Sequence, residues 1–326
     1  MQAPSDVITK DIMHQMETLG FLLLSNIPGF SEEEIFKWQK WFFSLPSDVK
    51  DKLIMNHFNH PDSPNHYRGL APFIDNDISH KEFLEVGLDL SKVSPLEQQL
   101  PLHEPTPWPS HPETPLFKSF MTRHYDFMLQ LGIKVMRHIA VGLGKPEGFF
   151  DSWFEKDTLS TLRIIHYMPR SAQVVRMDQL SGEELKMITP IHSDSGFLTL
   201  LTTYDYHGLQ VDLGSGTFRS IRPVPATLVV NLGDMFSRMT GYRLKATKHR
   251  VLDIGIERYS SPFFLEPHYL ARIPTDLLTG EYQSVGDVSG EGHIYGDWLI
   301  DKIRSYGEYK HFKVTKPLAR ELLKQE

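Results

Sequence analysis

Two periodicities divide the chain. In the first half apolar residues recur at helical spacing. Ile8 to Leu19 is amphipathic, and Ile35 to Leu45 follows Ser31-Glu32-Glu33-Glu34, an N-cap with an acidic first turn. Pro46 ends that second helix because it cannot extend the hydrogen-bond ladder. Between the two, the apolar run Phe21-Leu22-Leu23-Leu24 predicts a buried strand. Phe117, Phe120, Met121, Phe127, Met128, Leu131 and Val135 are spaced for the longest helix, 117–143, which stops at Gly142-Leu143-Gly144 with Pro146 beyond. From residue 161 the period changes to short β-branched and apolar runs, 161–167, 198–203, 209–212, 217–221, 227–231, 249–252 and 259–265, separated by turn residues. A last amphipathic helix, 295–311, carries Trp298, Leu299 and Ile303 and is expected to cover the β region. Residues 56–72 and 93–115, the latter with seven prolines, read as long loops. Helices followed by an all-β pattern predict an α+β fold.

Composition narrows the partners. Thirty-four basic and 41 acidic residues give a net charge of −7 without long like-charge runs, so neither a nucleic-acid stripe nor an anionic-membrane patch is expected. No apolar run reaches the 18 or so residues of a spanning helix. Met1 to Lys10 lack the basic and apolar regions of a signal peptide, which points to a cytoplasmic protein. The expected partner is a small-molecule substrate, and the oligomeric state is left open. With no cysteine, any transition metal must be held by nitrogen and oxygen donors.

One segment meets that requirement. In His192-Ser193-Asp194 the histidine and the aspartate lie two residues apart, and at the head of an apolar strand they would share a face. His249 follows, then Arg258-Tyr259-Ser260. Two imidazoles and one carboxylate can hold Fe(II) on one octahedral face and leave three positions open. Two other His-x-Asp triplets are weaker candidates. His60-Pro61-Asp62 sits in a proline-rich turn, and His124-Tyr125-Asp126 lies in the long helix, where residues two apart point in different directions and read as a surface pair. Asp234, in Asn231-Leu232-Gly233-Asp234, reads as a turn residue.

These segments, in order, resemble the Fe(II)/2-oxoglutarate-dependent dioxygenases of the isopenicillin N synthase-like family, from about Ile12 to Phe312. The C-terminal ones are 191–201, Arg222-Pro223-Val224-Pro225, 229–235, Lys248-His249-Arg250-Val251 and 257–264. The N-terminal ones are 19–26, Tyr67-Arg68-Gly69, Lys81-Glu82 and Trp108-Pro109. The resemblance implies a double-stranded β-helix, or jelly roll, flanked by helices, with residues 1–115 as an N-terminal region and 116–326 as the core. It implies Fe(II) on His192, Asp194 and His249, and O2 as a cosubstrate. 2-Oxoglutarate would be held by Arg258, Ser260 and Tyr167, and substrate by Tyr67, Arg68 and Phe264. The implied reaction oxidises a small organic molecule, by hydroxylation, desaturation or ring closure, while 2-oxoglutarate becomes succinate and carbon dioxide. Asp194 argues against halogenation, because a halide would need its position on the metal. Two alternatives stay open here: an oxidase like isopenicillin N synthase that uses no 2-oxoglutarate, and a catalytically silent jelly-roll binding protein.

Overall fold

In a computed structural model of the chain the described residues are 6–75, 77, 79–169, 176–177, 184–214, 216–274, 277, 293–309 and 311–322. The elements that position the site begin with α1 (Asp6–Thr18), β1 (Phe21–Leu24) and α2 (Glu32–Phe43), followed by β2 (Gly69–Ala71), β3 (Lys81–Val86) and α3 (Thr114–Gly142). Next come β4 (Thr161–Tyr167), β5 (Met187–His192), β6 (Leu198–Thr202), β7 (Leu209–Asp212), β8 (Phe218–Ser220) and β9 (Leu228–Leu232). Finally α4 (Asp234–Met239), β10 (His249–Leu252), β11 (Arg258–Leu265) and α5 (Tyr295–Ile303) complete the set. The class is α+β, with antiparallel sheets. A seven-stranded sheet has the order β1-β9-β6-β11-β4-β3-β2, and a four-stranded sheet the order β8-β7-β10-β5.

The helices cover the seven-stranded sheet. Ser31 caps α2 by accepting from the Glu34 amide at 3.3 Å, and α3 buries Phe117, Met121, Met128 and Ile139. Gly132 brings α3 close to the strands, because a Cβ there would lie 3.3 Å from the Leu265 methyls. The N-terminal segment does not stand apart: β1 pairs with β9 and β3 with β4, so strands from residues 21–86 flank both sides of the sheet.

Two features depart from the sequence pattern. The last helix stops at Ile303, and a short 3-10 turn, Gly307–Tyr309, replaces its continuation, in keeping with the poor helix propensity of glycine. Strands β2, β3 and β5 have no counterpart in that pattern, and β2 lies inside the expected 56–72 loop. That loop and the proline-rich one are tied together by Glu104, whose carboxylate accepts from the His66, Tyr67 and Arg68 amides at 2.9, 2.8 and 3.1 Å.

A buried polar residue on α2 fastens the two strands that matter most. Gln39, fully buried, donates from Nε2 to the Ile165 carbonyl on β4 at 2.7 Å and to the Ser260 carbonyl on β11 at 2.9 Å, while Tyr204 Oη donates to its Oε1. Gln39→Leu keeps the volume but strands these groups, and each unsatisfied buried group costs about 1–3 kcal/mol. We expect Gln39→Leu to lower unfolding stability by roughly 2–4 kcal/mol in urea titration; a change below about 0.5 kcal/mol would show that the carbonyls find other donors.

Candidate metal centre

The two histidines come from one cross-strand pair. His192, the last residue of β5, lies opposite His249, the first of β10, and their ring centroids are 4.1 Å apart. Each imidazole has its Nδ1 near a backbone carbonyl, Pro190 at 2.9 Å and Thr247 at 3.2 Å. A proton on Nδ1 satisfies those carbonyls and leaves Nε2 as a lone-pair donor. His249 also meets the edge of Phe21, with ring centroids 5.4 Å apart.

Asp194 reaches the pair differently from the expectation. It is not on a strand with His192. β5 ends at His192 in the four-stranded sheet and β6 starts at Leu198 in the seven-stranded one, so Asp194 sits in the crossover between sheets. The crossover is fixed by the start of α4: the Asp234 amide donates to the Asp194 carbonyl at 2.7 Å and the Met235 amide to that of Ser195 at 3.1 Å. Gly233 permits this contact, since a Cβ there would lie 2.2 Å from the Gly196 carbonyl oxygen. The carboxylate is then oriented by a second cross-strand pair. Thr199 on β6 and Asn231 on β9 face each other in register, and both donate to Asp194 Oδ2, at 2.6 and 2.7 Å. Oδ1 remains for the imidazoles, 3.6 Å from His192 Nε2 and 3.7 Å from His249 Nε2.

The electrostatics suit a cation. Burial alone would raise the pKa of Asp194, but His249, His192 and the hydrogen bonds from Thr199 and Asn231 outweigh it and hold it below the usual carboxylate value. The pKa of His192 is lowered, chiefly by burial and then by His249, which favours the neutral imidazole a metal needs. One ligand atom from each of the three residues lies within 4.8 Å of the others, the only such grouping among the described residues.

The competing triplets separate. His124 is buried and stacks on Phe120, and its pKa falls to about 4 through burial, whereas Asp126 pairs with exposed Lys92 at 2.7 Å. They do not form the surface pair their spacing suggests. His60 and Asp62 stay in the turn region and join no metal-type grouping among the described residues.

The centre opens into a cavity of about 580 Å³. Arg258, Ser260, Pro262 and Phe264 alternate along β11 and all line it, as the two-residue period of a strand requires. Arg258 is 5% exposed and sits over the ring of its cross-strand partner Tyr167, 4.5 Å away. Its Nε and Nη1 are buried and have no hydrogen-bond partner. Burial lowers its pKa, opposed by Tyr167, Tyr206 and Asp253. Tyr167, Tyr67 and Phe264 are in the lining. Arg68 is not: its guanidinium turns away to Thr161 Oγ1 at 2.5 Å and to the Leu159 and Ser160 carbonyls at 3.0 and 3.3 Å. Three hydrogen bonds to the segment 159–161, which leads into β4, make it a bracing residue.

Thr199 and Asn231 are site residues that the sequence reading does not name. Asn231 carries a readable signal, an amide inside the apolar run Val229-Val230-Asn231-Leu232, where a buried polar group needs a partner. Thr199 carries none, because threonine is common in strands.

A sequence profile described as the 2OG-Fe(II) oxygenase superfamily matches residues 161–267, and another, described as the N-terminal region of non-haem dioxygenases in morphine synthesis, matches 2–111. A 2-oxoglutarate-Fe(II) type oxidoreductase of Aspergillus fumigatus is 32% identical over 249 residues, which cover 73% of this chain and 70% of that protein. Isopenicillin N synthase of Streptomyces clavuligerus is 29% identical over 288 residues, 88% of this chain and 85% of the relative. Among solved structures, a full-length Neurospora crassa protein in complex with alpha-KG and 5-formyluracil is similar with TM-score 0.70 and 28% identity, covering 91% of this chain and 90% of the other.

The geometry around Asp194 predicts a graded response in metal binding. We expect His192→Ala to abolish high-affinity Fe(II) binding and Asn231→Ala, which frees Oδ2, to weaken it about 10- to 100-fold, as read by anaerobic calorimetry. An unchanged affinity in Asn231→Ala would mean that Thr199 alone holds the carboxylate.

Proposed function

We propose, for a chain that belongs to the 2-oxoglutarate- and Fe(II)-dependent oxygenase superfamily, that His192, Asp194 and His249 hold the iron and that Arg258, Ser260 and Tyr167 hold 2-oxoglutarate. The chain is an oxidoreductase that uses Fe(II), 2-oxoglutarate and O2. The observation that carries the site reading is the Arg258 guanidinium, buried with Nε and Nη1 unpartnered in the wall of the cavity that holds the two imidazoles and the carboxylate. A buried, unpaired cation is strongly disfavoured unless an anion completes it. The planar fork suits a carboxylate bidentately, which an ammonium would not.

When bound, the iron with 2-oxoglutarate and O2 supplies the oxidising chemistry, and 2-oxoglutarate leaves as succinate and carbon dioxide. The chain's own part is positioning and shielding. The two imidazoles present Nε2, Asp194 presents Oδ1, and Thr199 with Asn231 keeps the carboxylate from turning. Arg258 takes the distal carboxylate, Ser260 Oγ lies on the same strand face to add a hydrogen bond, and Tyr167 supports the guanidinium with its ring. Phe21, Ile165, Ile188, Leu201, Leu209 and Val251 line the cavity with apolar surface that limits water.

The remaining details belong to the same reading. The facing sheets, with β9-β6-β11-β4 on one side and β8-β7-β10-β5 on the other, support a double-stranded β-helix core within 116–326 and an N-terminal region, 1–115, that extends one sheet. Substrate lies beyond the iron against Phe264 and Tyr67, with hydroxylation as the default outcome. A small-molecule substrate agrees with the 5-formyluracil named for the similar Neurospora crassa structure. We place the protein in the cytoplasm; among the described residues no helix is long and apolar enough to cross a membrane.

Arg258→Ala should raise the 2-oxoglutarate concentration needed for succinate release, since losing a buried charged partner costs about 2–5 kcal/mol. Arg258→Lys should restore it only in part. If the 2-oxoglutarate titration is unchanged in both variants while substrate affinity collapses, Arg258 serves a substrate carboxylate and the assignment of its role is wrong.

A further inference from the structure

Past the metal face the cavity wall holds polar side chains that the chemistry above does not use. Glu85 on β3 and Arg163 on β4 are cross-strand partners, and both line the cavity. Oε1 of Glu85 accepts from Arg163 Nε at 2.8 Å and Nη2 at 2.5 Å and from Tyr309 Oη at 3.0 Å. Oε2 of the same carboxylate, in a residue 1% exposed, has no hydrogen-bond partner. Glu266, which follows β11 and also lines the cavity, has its Oε2 buried and unpartnered in a residue 7% exposed. Tyr67 lines the same cavity, and its phenol is held above its usual pKa chiefly by burial, with Arg68 opposing and Glu85 and Glu266 adding to the rise. Buried acceptors are ordinarily satisfied. Two unpartnered carboxyl oxygens in residues that line one cavity ask for donors from a ligand.

We propose that Glu85, Glu266 and Tyr67 form a substrate subsite that selects an uncharged N–H-bearing head, such as a primary amide or a lactam, and rejects carboxylates. This rests on the reading of the chain as a 2-oxoglutarate-dependent oxygenase and names the class of substrate it takes. The charge pattern sets the preference. A carboxylate brought to this wall meets the Glu85 carboxylate and offers no donor for its open Oε2. An ammonium must compete with the Arg163 guanidinium, which Glu85 already holds at 2.5 Å. An amide N–H satisfies Glu85 Oε2 without disturbing that pair, and a second N–H, or the amide oxygen if the Glu266 carboxyl carries its proton, meets Glu266. The carboxylate-binding end, at Arg258, and the amide-binding end are thus built with opposite chemistry, so 2-oxoglutarate and substrate do not exchange places.

The test uses the full chain loaded with Fe(II) and 2-oxoglutarate under nitrogen, titrated in a calorimeter with benzamide, N,N-dimethylbenzamide, benzoate and benzylamine. We expect benzamide to bind at least about tenfold more tightly than each of the others, the size of one hydrogen bond to a charged group. Glu85→Gln, which replaces an acceptor oxygen with a donor, should erase the advantage of benzamide over its dimethyl analogue while 2-oxoglutarate affinity is unchanged. Where that variant does not fold, Glu266→Gln carries the test, and a shrunken benzamide advantage is again expected. Equal binding of the four probes, no binding of any, or tighter binding of benzoate or benzylamine overturns the subsite. Failure of the wild-type protein to bind 2-oxoglutarate in the same experiment overturns the functional reading first, which separates the two failures.

Discussion

The function proposed for this molecule depends on holding one buried carboxylate beside two imidazoles. The histidines belong to the four-stranded sheet, facing each other across β5 and β10. The carboxylate belongs to the crossover that leaves this sheet, and it is gripped from the other sheet by Thr199 and Asn231, themselves cross-strand partners. The centre is therefore a joint between two sheets, each supplying a register pair. Moving either sheet by one residue would turn those side chains to the opposite face. A metal that binds only the folded joint adds its binding free energy to folding, about 2.7 kcal/mol at a hundredfold excess over Kd.

The same economy appears around Arg258. The strand β11 presents four alternating residues to the cavity, and the guanidinium at its start is supported by Tyr167 on β4 while Gln39 ties the carbonyls of both strands to α2. The helix that packs on the sheet thus also sets the spacing of the strands that carry Arg258 and Tyr167. Packing and site geometry are one constraint here rather than two.

Much of this is legible in the sequence, for identifiable reasons. Strands 161–167, 209–212 and 249–252 have the bounds their pattern predicts, because β-branched and apolar runs there are framed by turn residues. His192, Asp194, His249, Arg258 and Ser260 can be named because their residue types and order are distinctive together. What cannot be read is the crossover. The spacing of His192 and Asp194 fits one strand, yet the chain turns between sheets at that point, and only long-range partners such as Asn231 and Asp234 reveal it. Strand β3 hides for a similar reason, since its charged residues Glu82 and Glu85 are buried only because Lys50, His166 and Arg163 meet them from elsewhere in the chain. Arg68 looks like a pocket residue from its neighbours in sequence, and its hydrogen bonds to 159–161 are contacts no local pattern encodes.

The central claim is that the metal face and Arg258 together make one 2-oxoglutarate site, so metal and 2-oxoglutarate must bind with positive coupling. The most direct measurement is an anaerobic calorimetric titration of 2-oxoglutarate into the wild-type protein with Fe(II) present and after its removal by a chelator. The account predicts an affinity at least about tenfold higher with the metal, a coupling of about 1.4 kcal/mol or more. An affinity that is the same in both states would contradict it, because Arg258 would then bind the dicarboxylate away from the iron.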